Sequence, residues 1–211
     1  MGRLNNGIFG GFTGKVGNVI GSSCRGVEYI KSMPTKMTNP RTKGQTKQRS
    51  SFIITQNFLR TFTPIIRVGF QDYAVEGKSA FNAAMSYNML NSIKTGTDGN
   101  ELDYPNILIS KGSLFTSTYI NAKLAKDDLY FEWDSTFSGD ANNNDQVMVL
   151  AFNSTKTESI FDINAGKRKN ASTFLSLPSH WKGDIIETYI AFKNEEGSIV
   201  SNSCYTGSLT A

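Results

Sequence analysis

A chain of 211 residues can bury one core, or one core with an extension, and 38% hydrophobic residues with 14 Phe make it globular rather than disordered. Two cysteines are too few for a disulfide framework, no apolar run reaches the ~18 residues of a membrane-spanning helix, and the Gly/Asn-rich opening lacks the apolar stretch of a signal peptide. The net charge of +4 conceals a split: residues 1–49 hold nine Lys/Arg and one Glu, a balance of +8, and the rest thirteen bases and seventeen acids, a balance of −4. The expectation is a soluble, intracellularly made protein with no membrane partner. Its basic end is suited to an acidic neighbour or a nucleic acid.

Residues 1–44 read as a glycine-rich basic arm. Eight of the nineteen glycines fall before residue 27, and Phe9 and Phe12 stand among them as isolated anchors. The segments VGNVIGSS and GVEYIKS read as two short strands around a turn at Ser23-Cys24-Arg25-Gly26. Interior Gly17 and Gly21 weaken such strands and permit close backbone approach, so this ribbon needs a partner. Residues 33–44 are extended, because Pro34 and Pro40 hold Met33 and Asn39 out of the helical region.

Residues 45–95 read as helical. The period from Gln45 to Phe62 places Phe52, Gln56, Leu59 and Phe62 on one face, with Ile53 beside it. Pro64 opens a short second helix. Ser79 caps a third, whose Phe81, Met85 and Met89 with Ala84 and Asn88 form a core stripe. The turn cluster Thr95 to Asn100 marks the boundary to residues 96–211.

Beyond it the pattern is β. Strands are expected at Ile107–Ser110, Leu114–Thr118, Leu129–Asp134, Gln146–Asn153, Ser159–Ile163, Thr173–Leu177 and Ile185–Lys193, and from Ser198 to Leu209 with a break near Ser203. Turn signals recur at the ~8–12 residue spacing of a sandwich. The fold class is therefore α+β, mainly β: an N-terminal arm with a hairpin, a short helical segment, and a C-terminal antiparallel β-sandwich of immunoglobulin-like kind.

Tests for chemistry return little. His180, the single histidine, lies on a loop, so a catalytic triad or a two-histidine zinc site has no second member. Gly14-Lys15 fails the phosphate-loop pattern at Phe9 and Val16, and the glycine spacing is not that of a dinucleotide site. Asp140 to Asp145 begins like a calcium loop but lacks its sixth-position glycine and twelfth-position glutamate, and reads as an Asx-rich turn. Glu132 and Asp134 share one strand face as a solvated pair. Cys24 and Cys204 read as reduced, half-buried small hydrophobes. No catalytic, cofactor or metal residues are assigned, and the chain reads as a non-enzyme.

The basic stretch carries the functional weight. Between Glu28 and Asp72 there is no acid, while Lys31, Lys36, Arg41, Lys43, Lys47, Arg49, Arg60 and Arg67 fall within the gap. It offers phosphate contacts, yet no stacking aromatic interrupts residues 30–51 and no DNA-reading motif appears. Assembly with protein neighbours fits it better. The interaction set is Phe9, Phe12, Lys15, Arg25, Lys31, Lys36, Arg41, Lys43, Lys47 and Arg49.

Two groups of residues then carry a resemblance. One is Gly10-Gly11-Phe12-Thr13-Gly14-Lys15-Val16-Gly17 with Gly21, Gly26 and the run Asn39-Pro40-Arg41-Thr42, Gln45, Gln48-Arg49, Phe52. The other is Leu177-Pro178, Gly183-Asp184, Tyr189-Ile190-Ala191-Phe192, Val200-Ser201-Asn202-Ser203, Tyr205 and Gly207. Together they resemble a family of roughly 200-residue proteins from Bacteroidota and their phages, catalogued as a domain of unknown function. The chain departs from it at Cys24, where an aromatic is usual, and at Cys204, where an aliphatic is.

The phage association implies a virion component: capsid, decoration or tail-associated. The leading expectation is a non-enzymatic structural subunit that docks through its arm on homo-oligomeric or virion neighbours. The alternatives are nonspecific nucleic-acid binding through residues 31–67, or a ligand-binding sandwich with Trp133, Trp181 or Tyr205 as a platform. Location follows the source, in the virion if phage-encoded and otherwise in the cytoplasm.

Overall fold

The glycine-rich opening folds into strands that pair with one another. The computed structural model describes residues 2–4, 10–36, 39–75, 77–96, 99–125 and 128–211. Its first sheet runs β1 (Arg3–Leu4), β2 (Phe12–Val16), β3 (Val19–Cys24), β4 (Val27–Ser32) in chain order. VGNVIGSS is thus not one strand. Gly17, at φ 58°, starts a tight turn between β2 and β3, as hairpin turns favour glycine there. The expected turn at residues 23–26 lies at Arg25 (φ 52°) and Gly26 (φ 83°), both left-handed as in a type I′ hairpin. Gly21 is where the sheet rolls over itself: a Cβ there would collide with the Phe12 carbonyl and ring.

α1 (Lys43–Arg60) begins at Thr42, whose hydroxyl accepts from the Gln45 N–H at 3.3 Å. α2 (Thr63–Gly69) carries Pro64 in its first turn, and Ser79 caps α3 (Ala80–Asn91) by accepting from the Asn82 N–H at 3.0 Å. The inward face of α1 is rotated from the expected one. Ser51, Thr55, Phe58 and Leu59 are buried, whereas Phe52 and Ile53 are 46% and 54% exposed. The buried stripe meets the apolar cluster at Phe58 and Leu59 and a polar clamp nearer the start of the helix. The hairpin of β5 (Ile93–Gly96) and β6 (Gly99–Leu102) lies along α1, and Asn100 donates to the Lys47 carbonyl at 3.0 Å and the Ser51 hydroxyl at 2.7 Å.

The remaining strands form two antiparallel sheets. One is built from β7 (Ile120–Ala125), β8 (Asp128–Trp133) and β11 (Ser172–Ser176), in the order β11-β8-β7. The other is built from β9 (Gln146–Asn153), β10 (Glu158–Lys167), β12 (Ile185–Lys193) and β13 (Cys204–Thr210), in the order β10-β9-β12-β13. Leu129, Phe131 and Trp133 of the three-stranded sheet share a core with Val147, Val149, Ile190 and Phe192 of the four-stranded one. The described residues are therefore mainly β and antiparallel, with three α-helices, and the two facing sheets are compatible with an immunoglobulin-like sandwich.

Two expected strands are absent. Residues 107–110 form no strand, and residues 114–118 contribute one bridge, Leu114 to Ser201. Hydroxyl groups capture the backbone instead. Ser203 Oγ accepts from the Ile109 N–H at 2.9 Å, and Ser110 Oγ donates to the Ser201 carbonyl at 2.7 Å. An edge strand of the three-stranded sheet is β7, in a stretch where no strand was expected.

The helices close the opposite face of the four-stranded sheet. Leu150 and Phe152 of β9 and Tyr189 of β12 join Phe58, Leu59, Phe62, Ile65 and Ile66 in one cluster. β9 is consequently buried on both faces, which is why QVMVLAFN reads as continuous rather than alternating. The order of layers is helices, four strands, three strands. Phe58→Ala is expected to cost about 3–5 kcal/mol, and Phe52→Ala within ~0.5 kcal/mol of wild type. Urea denaturation of the two variants checks the rotated face.

Candidate functional site

The arm sheet buries almost nothing. Among its described residues Gly21 alone is fully buried, and β4 is exposed along its whole length. It meets the body at the hairpin tip, where Arg25 donates to the Lys78 carbonyl at 3.3 Å and Val27 lies near Gly77. No described residue before Ile54 belongs to or packs on either apolar cluster.

Register sorts the arm residues. Lys15 pairs with Ile20 and Ile20 with Lys31, so the two lysines flank an isoleucine on one face. Tyr29 and Val27 continue that face through their pairs with Ser22 and Cys24. The other face carries Val16 against Val19, with Ile30 opposite Gly21 at 68% exposure. Phe12 is half-buried over Gly21, an intramolecular anchor of the rolled sheet. Phe9 lies outside the described residues.

The other basic positions are exposed but do not converge. Lys36 follows β4, in the extended stretch before α1. Arg41 adopts a left-handed backbone (φ 48°) ahead of α1, and Lys43 opens that helix. Lys47 donates to Thr95 Oγ1 at 3.2 Å, and Arg49 donates to Asn39 Oδ1 at 2.6 Å. The structure thus puts Lys15 and Lys31 on one face of the arm, on either side of Ile20, and Lys43 and Lys47 one turn apart on α1.

The motifs tested for chemistry have structural employment. Asp145 is fully buried and accepts from Arg168 Nε at 3.1 Å and from the Asn142 N–H at 2.9 Å, so the loop closes on an arginine instead of calcium. The Arg168 guanidinium also lies 4.1 Å from the Phe192 ring centroid, and its Nη2 donates to the Phe115 carbonyl at 2.7 Å. Trp133 and Trp181 are 3% and 1% exposed and supply no ligand platform. Tyr205 is turned to buried Glu187, which accepts its hydroxyl at 2.6 Å; desolvation first, then that bond, raise the phenol's pKa. Cys24 is exposed rather than half-buried, Cys204 is half-buried, and the two are not joined. Among the described residues, no three of His, Cys, Asp and Glu come within reach of one metal ion. No helix among them is long and apolar enough to cross a membrane.

One surface went unread in the sequence. The outward residues of the three-stranded sheet form rows set by pairing: Asp128 between Ala125 and Ser176, Tyr130 between Lys123 and Phe174, and Glu132 between Asn121 and Ser172. Phe174 is 59% exposed, and its ring lies 6.0 Å from that of Tyr130. Asp134 and exposed Tyr119 extend the surface, joined by the Asp134 N–H to the Tyr119 carbonyl at 3.0 Å. Lys123 pairs with Glu132. The sequence signal was present as strict alternation in DLYFEW, but β7 had to be placed before its neighbours were known.

The fold and surface together define a helix-backed β-sandwich carrying an N-terminal sheet outside its core. The chain belongs to the family described as a family of unknown function (DUF6266), whose model matches residues 11–207. That span takes in the closing residue group of the resemblance and all of the opening one but Gly10. Neither the curated proteins nor the solved structures contain a match to the chain.

A charged clamp holds the end of the sandwich. Lys156 pairs with Asp184 and donates to the His180 carbonyl, while Glu158 Oε2 accepts from Trp181 Nε1 at 2.9 Å and lies 3.0 Å from His180 Nε2. The bond from Lys156, then that from Asn153, lowers the Asp184 pKa; the bonds from His180 and Trp181 lower that of Glu158. Depressed folded values mean the clamp stabilises above the ordinary carboxylate range of about 4 and is lost as pH falls through the lower folded values. Wild type is therefore expected to lose more Tm between about pH 6 and pH 3 than Glu158→Gln or Asp184→Asn, read by thermal melts across that window.

Proposed function

We propose that this protein is a non-enzymatic assembly subunit whose N-terminal sheet docks on a neighbouring protein subunit. The observation that carries the reading is a sheet whose faces stay in water while the body closes both of its apolar clusters without it. Isolated small sheets are marginal in water unless a face is covered. Exposed Val16, Val19, Val27, Tyr29 and Ile30 on one such element form the kind of surface that marks a protein contact. The resemblance to phage-associated proteins supports a virion as the setting, in which the sandwich would be the repeating or displayed module.

The exposed bases favour a second reading, in which the same arm contacts phosphates. That reading requires oligonucleotide binding that weakens steeply with salt and drops when Arg41, Lys43, Lys47 and Arg49 are neutralised.

Sedimentation velocity of the full chain beside a chain lacking residues 1–32, both at high concentration, separates the two. The truncated chain is expected to retain its Tm to within a few degrees, since no core residue is removed, and to lose the oligomers of the full chain. Equal masses for both chains would overturn the assembly reading.

A further inference from the structure

We propose that the arm's partner is a second copy of this chain, and that Lys15 and Lys31 of one copy lie on the Tyr130–Phe174 face of the next. The inference rests on the assembly reading above and adds the identity of both surfaces.

Charge complementarity selects the pair. The basic arm face carries Lys15, Ile20, Lys31 and Tyr29, with no acid among its register partners. The outward face of β8 carries Asp128, Glu132 and, one step beyond the strand, Asp134; Lys123 on β7 pairs with Glu132, which leaves three acids against one base. The same opposition holds for the whole chain, at +8 over residues 1–49 and −4 over the rest. A nucleic acid is attracted to the arm but repelled by the acidic face, whereas a second copy satisfies both.

Shape agrees. Lys15 and Lys31 stand two strands apart, about 10 Å, and Asp128 and Glu132 four residues apart along one strand, about 13 Å. That difference is within the reach of lysine side chains. Ile20 lies between the two lysines and Tyr130 between the two carboxylates, with Tyr29 alongside on the arm and Phe174 alongside on the sandwich. Two sheets packed face to face bring such rows together at ~10 Å.

The two surfaces differ, so the contact is heterologous and propagates from copy to copy into a ring or a filament. Each face spans only three or four short strands, small against the ~800 Å² per partner typical of a stable pair. Association is therefore weak between two copies and grows with concentration.

Sedimentation velocity of the full chain across about 10 μM to 1 mM, at ~50 and ~500 mM salt, reads the contact. Two charge-reversed chains accompany it, Lys15→Glu with Lys31→Glu, and Asp128→Lys with Glu132→Lys. Wild type is expected to associate at least tenfold more weakly at the higher salt. Each reversed chain alone is expected to stay monomeric, and an equimolar mixture to associate again, because each then offers the other a complementary face. Restoration in the mixture also shows both chains folded.

Three results would overturn the inference. If wild type associates and the Asp128→Lys, Glu132→Lys chain does so equally, the arm docks elsewhere and the assembly reading stands. A mixture that stays monomeric while wild type associates leads to the same conclusion. Wild type that stays monomeric throughout, yet binds an oligonucleotide in a manner lost with Lys15→Glu and Lys31→Glu, removes both readings.

Discussion

Phe58 of α1 meets Phe152 of β9 edge-on, with ring centroids 4.6 Å apart, and meets Phe62 at 4.9 Å. This contact fastens the helices to the β-structure. Because β9 and β12 are central in their sheet, closing their second face converts a two-layer sandwich into three layers. A side chain of this size sealed between layers removes a large apolar surface from water. Without the helices, Leu150, Phe152 and Tyr189 would form an open apolar patch in the middle of the sheet.

The same packing leaves the arm outside. The helix stripe is used up by the sheet, and the sandwich core is filled by its own two sheets, so neither apolar cluster of the body is left open for the arm strands. Glycine explains how the arm holds a shape at all. Gly21 lets Phe12 lie against the strand, giving the small sheet one internal contact, and left-handed Arg25 and Gly26 close its last hairpin. The result is an ordered element with little internal stabilisation, a form suited to the proposed role in assembly.

Buried polar groups shape the rest. Arg168 and Asp145 are paired inside the end of the sandwich, where the guanidinium also stacks on Phe192, and Trp133 Nε1 donates to the Arg168 carbonyl at 2.8 Å. Removing one partner of such a pair leaves an uncompensated charge and costs about 3–5 kcal/mol, whereas an apolar replacement of both can be neutral. The pair thus specifies how the loop at 140–145 closes. The serine-rich segments 107–117 and 201–203 act similarly, directing backbone groups to hydroxyls and away from a ladder.

Local chemistry was legible in the sequence where it is decided locally. Ser79 and Pro64 mark helix starts by supplying an acceptor and by lacking a donor, and β9 and β12 occupy the expected Gln146–Asn153 and Ile185–Lys193. Arg25-Gly26 marked a turn because a left-handed pair has few other uses. What the sequence could not decide is which face each element shows to which neighbour. Phe52 and Leu59 belong to one helical period, yet Leu59 is buried in the cluster with Phe152 and Tyr189, far along the chain, while Phe52 stays exposed. Likewise, composition alone identified a basic arm and an acidic remainder. Only strand register placed Lys15 and Lys31 on one face and set Tyr130 against Phe174, because pairing across strands is a long-range property that no local pattern contains.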